Sequence, residues 1–99
     1  VMPDKFMSTH QQTKQKITET LLQWGAIEVK VTDNSHMHVG HEGAKSGGGH
    51  FAVAVVSDAF NGLSRIQCHR LVYQQLTALF ASGAIHALEV EAIIQKEVS

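Results

Sequence analysis

HFAVAVVSDAFNGLSRIQCHRLVYQQL occupies residues 50–76, and the fold turns on how this stretch is read. Up to Val56 its period is two. Phe51, Val53 and Val55 point one way, and Ala52 and Ala54 point the other. A strand that is bulky on one face and alanine on the other suits a sheet covered by helices on one side only. SDAFNGLS then reads as a turn, with Asn61-Gly62 its tightest point, and Ser64 is placed to cap the next element. Beyond Ser64 the period becomes helical. Ile66, His69, Val72, Tyr73, Leu76, Leu79 and Phe80 share one face, while Gln74, Gln75 and Thr77 fall off it. A break near Cys68–His69 would divide this region into a short helix and a longer one.

Upstream, Ile17, Leu21 and Trp24 recur at helical spacing within Gln11–Trp24, and Gly25 is a plausible stop. Ile27, Val29 and Val31 then alternate with Glu28, Lys30 and Thr32 as a strand with one wet face, ended by Asp33, Asn34 and Ser35. Downstream, Ala81-Ser82-Gly83 closes the helical region, and Leu88 and Val90 alternate with Glu89 and Glu91 as a third strand. The element order is α-β-β-α(α)-β. The expected class is α+β, a three-stranded sheet with its helices on one face. Residues 1–9 read as a flexible N-terminal tail and 10–99 as the domain. There are no internal repeats.

Ninety-nine residues suffice for one domain with a modest core. The formal charge of −1 lacks the basic excess from which phosphate-binding proteins gain affinity, which counts against nucleic acid as the main partner. No apolar run approaches the roughly 20 residues of a membrane span, and no signal peptide is evident. The expectation is a cytoplasmic chain that does not engage a membrane, or an organellar one if a targeting segment was removed. The first residue is Val1, and Met7 is a candidate natural start. Cys68 is the single cysteine, so it makes no internal disulfide and holds neither a zinc ribbon nor an iron–sulfur cluster alone. Any cluster on this chain has to be shared with a partner.

Chemistry-bearing side chains concentrate in DNSHMHVGHEGAKSGGGHF, residues 33–51, which contains four of the seven histidines. His36, His38 and His41 read H-x-H-x-x-H, dense enough for imidazoles to converge on an ion. The alternative is a glycine-rich hairpin connection that is merely polar, or one that takes up nickel or zinc only during purification. Parity puts His50 on the alanine face, toward solvent, and His10 in the tail. His69 shares its helical face with Val72 and Tyr73 and is expected in the helix–sheet contact. Arg70 is expected to face water, with Cys68 between buried and exposed. Nothing supplies a cysteine–histidine pair with an orienting third group, so nucleophilic catalysis is not expected. No carboxylate is spaced beside the histidines as a general base, which disfavours a metal-dependent hydrolase.

His86, in parity with Leu88 and Val90, opens the third strand and is well placed to meet a loop histidine. The competing reading is a partly buried imidazole bonded to a backbone carbonyl. Gly40-His41-Glu42-Gly43 matches the G-x-x-G of KH nucleic-acid modules. Here, however, it lies between strands and contains a glutamate.

The element order and the motifs VTDNSHMH, HFAVAVVSDAFNGLSRIQCHRLVYQQL and IHALEV together resemble the BolA family over about residues 13–94. The resemblance implies a KH-like class II fold and partnership with a monothiol glutaredoxin. The two proteins, with glutathione, would share a bridging [2Fe–2S] cluster used in iron–sulfur trafficking or iron regulation, and the chain would not be an enzyme. It implies His86 as one metal ligand and a residue of the loop between the first two strands as the other. That loop contains no cysteine, so the chain resembles the histidine type, with both His38 and His41 as candidates. The family's Arg-His-Arg helix start is Cys68-His69-Arg70 here. The lost arginine weakens a second implied role, a DNA-binding transcriptional regulator using Arg65, Cys68, His69 and Arg70. The free chain is expected to be a monomer or a weak homodimer.

Overall fold

The computed structural model describes residues 8–35 and 48–94. Helix α1 covers Thr9–Trp24. It opens on a capping box: the Gln11 N–H donates to Ser8 Oγ at 3.1 Å, and the Ser8 N–H donates to Gln11 Oε1 at 2.9 Å. The helix therefore begins two residues before Gln11, and His10 lies in its first turn. Thr13, Ile17 and Leu21 form its buried stripe at four-residue spacing. Gly25 stops the helix at φ 131°, its N–H reaching the Leu21 and Leu22 carbonyls.

Strands β1 (Glu28–Asp33), β2 (Gly49–Val56) and β3 (Ile85–Ile93) form one sheet in the order β1-β2-β3. β1 and β2 are antiparallel, with Val31 opposite Val53 and Lys30 opposite Ala54. β2 and β3 are parallel, with Phe51 opposite Leu88 and Val53 opposite Val90. The alternation expected of β2 is observed: Phe51, Val53 and Val55 are buried under the helices, and Ala52 and Ala54 are half-buried on the other side. The sheet is thus covered on one face, as in the α-β-β-α(α)-β arrangement read from the sequence.

The β2–β3 crossover begins with a 3-10 turn at Asp58–Phe60 and continues through α2 (Arg65–Gln75) and α3 (Thr77–Ala81). Buried Ser57 joins this turn to the end of α1. Its Oγ donates to the Gly25 carbonyl at 3.3 Å and accepts from the Ala59 N–H at 3.2 Å. Ser64 caps α2 in a second capping box with Gln67.

Two expectations for this region are corrected. The helical break falls at Leu76, not near Cys68–His69, so the longer helix comes first. Val72 and Leu76 are buried as expected, but the buried stripe also takes in Cys68 and leaves out Ile66 and Tyr73: Ile66 is 64% exposed and Tyr73 40%, against 4% for Cys68. Tyr73 lies at the margin because its hydroxyl donates to the Leu88 carbonyl at 2.8 Å, tying α2 to β3. No described helix is long and apolar enough to cross a membrane.

Candidate functional site

Because β2 and β3 are parallel, their first residues lie side by side, and the ladder is irregular there. Gly49 pairs with Ile85 and His50 with Ala87, which leaves His86 as an extra residue on β3. This bulge explains how Ile85 and Leu88, three positions apart, are both buried. It also corrects the expected parity of His86, which does not share the inward face of Leu88 but is turned out and exposed. There it meets His50, whose half-buried ring faces the same side of the sheet as Ala52 and Ala54. The two ring centroids are 5.1 Å apart, with the planes inclined by 43°.

Two glycines make the close approach feasible. A Cβ on Gly48 would stand 2.9 Å from the Gly83 carbonyl oxygen and 3.0 Å from the His86 Cβ, so the backbone packs directly on His86. A Cβ on Gly49 would run into the Phe51 ring. On the β1 side, Asp33 Oδ1 accepts the Ser35 N–H at 2.9 Å, and Ser35 Oγ accepts the His50 N–H at 3.0 Å. The Asn34 N–H donates to the His50 carbonyl at 2.7 Å. Ser35, before the segment 36–47, therefore lies beside His50, and Gly48, after it, packs against His86. His36, His38 and His41 belong to that segment and lie outside the described residues, as does Gly40–Gly43. His10, expected in the tail, lies under the same corner: its Nδ1 is 3.7 Å from Asp33 Oδ2, and its ring meets Phe51 edge-on.

The second group of candidates is dispersed. Cys68 belongs to the core, its Sγ 4.0 Å from the Phe60 carbonyl. His69 is half-buried and, with Leu63, Glu91 and Ile94, lines a cleft of about 460 Å³ between α2 and the far half of β3. Arg65 and Arg70 are exposed. Glu91 and Ala92 follow His86 by five and six residues, roughly 17–20 Å along a strand at about 3.3 Å per residue. The two groups therefore occupy opposite ends of β3. Among the described residues no three metal-ligating side chains come together. The His50–His86 pair supplies two imidazoles and no thiolate.

His50 lies on the face its parity predicts, but its meeting with His86 is not visible in the sequence pattern. The only signals for that meeting were indirect: the Gly48-Gly49 pair before the strand, and the three-residue spacing of Ile85 and Leu88.

Residues 17–97 match the family described as BolA-like protein. Among curated proteins, the chain is 39% identical over 77 residues to SufE-like protein 1, chloroplastic/mitochondrial, of Arabidopsis thaliana, covering 73% of this chain and 20% of that protein. It is 39% identical over 67 residues to BolA-like protein 1 of Mus musculus, covering 68% of this chain and 48% of that one. It thus spans a fifth of the first relative and about half of the second. Among solved structures, the BolA domain of SufE1 from Arabidopsis thaliana superposes with a TM-score of 0.73 at 36% identity, covering 87% of this chain and 95% of that one. The solution structure of BolA1 from Mus musculus gives 0.68 at 31%, covering 95% and 75%.

Proposed function

The chain belongs to the BolA-like protein family, and on that premise we propose that it is an adaptor for a monothiol glutaredoxin. It contributes His86, together with His38 or His41, as imidazole ligands to one iron of a bridging [2Fe–2S] cluster. Glutaredoxin and glutathione contribute the sulfur ligands. The adaptor passes on or stabilises clusters in iron–sulfur trafficking or iron regulation and turns over no substrate. The plant relative's chloroplastic/mitochondrial name makes an organelle a compartment consistent with this role, alongside the cytoplasm.

The observation that carries this reading is the position of His86. It is an exposed imidazole on a bulge, with Gly48, the residue after the histidine-bearing segment 36–47, packed on it and Ser35, the residue before that segment, bonded to neighbouring His50. The donors suit a share of a cluster, since the one thiol is sealed in the core and the exposed His86 offers an imidazole. Imidazole in place of thiolate at one iron raises the reduction potential, as in Rieske centres. The chain's own part is to hold His86 outward on a rigid strand, so that docking a partner costs little reorganisation at this ligand. A DNA-binding regulator working through Arg65–Arg70 has less behind it, because the cleft beside Arg65 is faced by Glu91 and the chain carries no basic excess.

The test is anaerobic reconstitution with a monothiol glutaredoxin, glutathione, iron and sulfide, followed by visible circular dichroism. Wild type should give a heterodimer spectrum distinct from that of glutaredoxin alone. His86→Ala should abolish it, and one of His38→Ala and His41→Ala should weaken it. A glutaredoxin spectrum unchanged by the wild-type chain would refute the proposal for that partner, and salt-dependent DNA binding would then be the next measurement.

A further inference from the structure

We propose that His50 and His86 together form a two-imidazole site for a borderline divalent transition metal, zinc(II) being the reference ion, in the chain on its own. This goes beyond the adaptor reading, which assigns no role to His50, and it does not depend on glutaredoxin. The ring separation matches that of a chelating pair. Two imidazoles bound to one tetrahedral zinc at about 2.0–2.1 Å place their ring centroids roughly 5 Å apart. His50 and His86 stand at 5.1 Å before any ion is considered. Their 43° inclination also departs from a parallel stack.

The frame that holds them is rigid. His50 is anchored through both of its backbone groups, its N–H to Ser35 Oγ and its carbonyl to the Asn34 N–H. His86 is fixed on the bulge by the Gly48 backbone packed on its Cβ. Because neighbouring strands are only about 4.8 Å apart, a bulge that turns His86 to the His50 side brings the rings within chelating reach. Imidazole suits zinc, copper and nickel better than it suits magnesium or calcium. The exposure of His86 leaves the remaining positions of an ion open to water or to a further donor. A bound ion would take up the same His86 that the adaptor reading gives to iron, so the two occupancies exclude one another.

The experiment uses the untagged full chain, labelled with 15N-histidine, in wild type and in a background with His36, His38 and His41 all changed to Asn. Zinc sulfate is titrated by calorimetry, and the ring nitrogens are followed by long-range 1H–15N correlation. Both chains should bind zinc, and one ion per chain should remain in the background. His50 and His86 ring nitrogens should shift together, and His50→Gln or His86→Gln should weaken binding tenfold or more. Magnesium should move neither ring. Absence of zinc binding in the background would overturn the proposal, as would shifts confined to His86 or unchanged affinity in His50→Gln. The ring-nitrogen shifts are read in chains with both histidines intact and so do not depend on how the Gln variants fold. Cluster reconstitution with glutaredoxin is scored separately, so either reading can fail without the other.

Discussion

The two ends of β3 treat chemically similar residues in opposite ways. At the far end, Cys68, His69 and Arg70 are consecutive in sequence but spread from core to cleft wall to solvent. At the near end, His50 and His86 are 36 positions apart in sequence (86 − 50), yet their rings meet. Adjacency in a helix fans side chains around an axis at 3.6 residues per turn, whereas a parallel strand pair gathers distant residues onto one surface. For this chain the motif that looks like a site is a packed helix start, and the pair that sequence proximity hides is the better place for chemistry.

Substitutions test that contrast. The largest effect should come from the helical core. Leu76→Ala at the α2–α3 junction empties a fully buried position and is expected to cost about 2–5 kcal/mol in urea unfolding. A cost near zero would mean that the junction is not packed as described. Gly49→Ala comes next, because its Cβ runs into Phe51. A loss of about 1–3 kcal/mol is expected, with amide shifts concentrated at 48–51 and 85–88. Shifts spread evenly over the chain would speak against a local role for this glycine. Ser57→Ala removes both bonds of a buried hydroxyl and should cost about 1 kcal/mol. His86→Ala should lie within roughly 0.5 kcal/mol of wild type, as for other surface changes, even though it removes the proposed ligand. Cys68 should resist thiol reagents in the native chain and react only as the protein unfolds, because it is 4% exposed.

The same physics decides how much of this was legible in the sequence. The parity of β2 could be read directly because Phe51, Val53 and Val55 differ so much in bulk from Ala52 and Ala54. The phase of α2 could not: Ile66 and Tyr73 are apolar but sit on the outside, and periodicity counts an exposed isoleucine as core. The stripe also runs through Cys68, which a face centred on His69 leaves to one side. Ser64 was recognisable as a cap, whereas Ser8, in the same S-x-x-Q pattern, was assigned to the tail. The position of His86 depends on a bulge set by pairing with β2, and pairing register is a tertiary property that β3 alone does not encode. His86 itself stood out in the sequence, while its neighbour His50 required the fold.

In the proposed function the near end of β3 carries an iron ligand and the far end does not. The most direct measurement is pulsed electron paramagnetic resonance on the one-electron-reduced cluster formed with a monothiol glutaredoxin, using this chain labelled with 15N-histidine. Strong 15N hyperfine coupling is expected from the wild-type heterodimer cluster and from Cys68→Ala, whereas His86→Ala is expected to give no heterodimer cluster signal at all. A reduced heterodimer cluster with no histidine nitrogen coupling, or one that forms in His86→Ala with the full wild-type coupling, would contradict this.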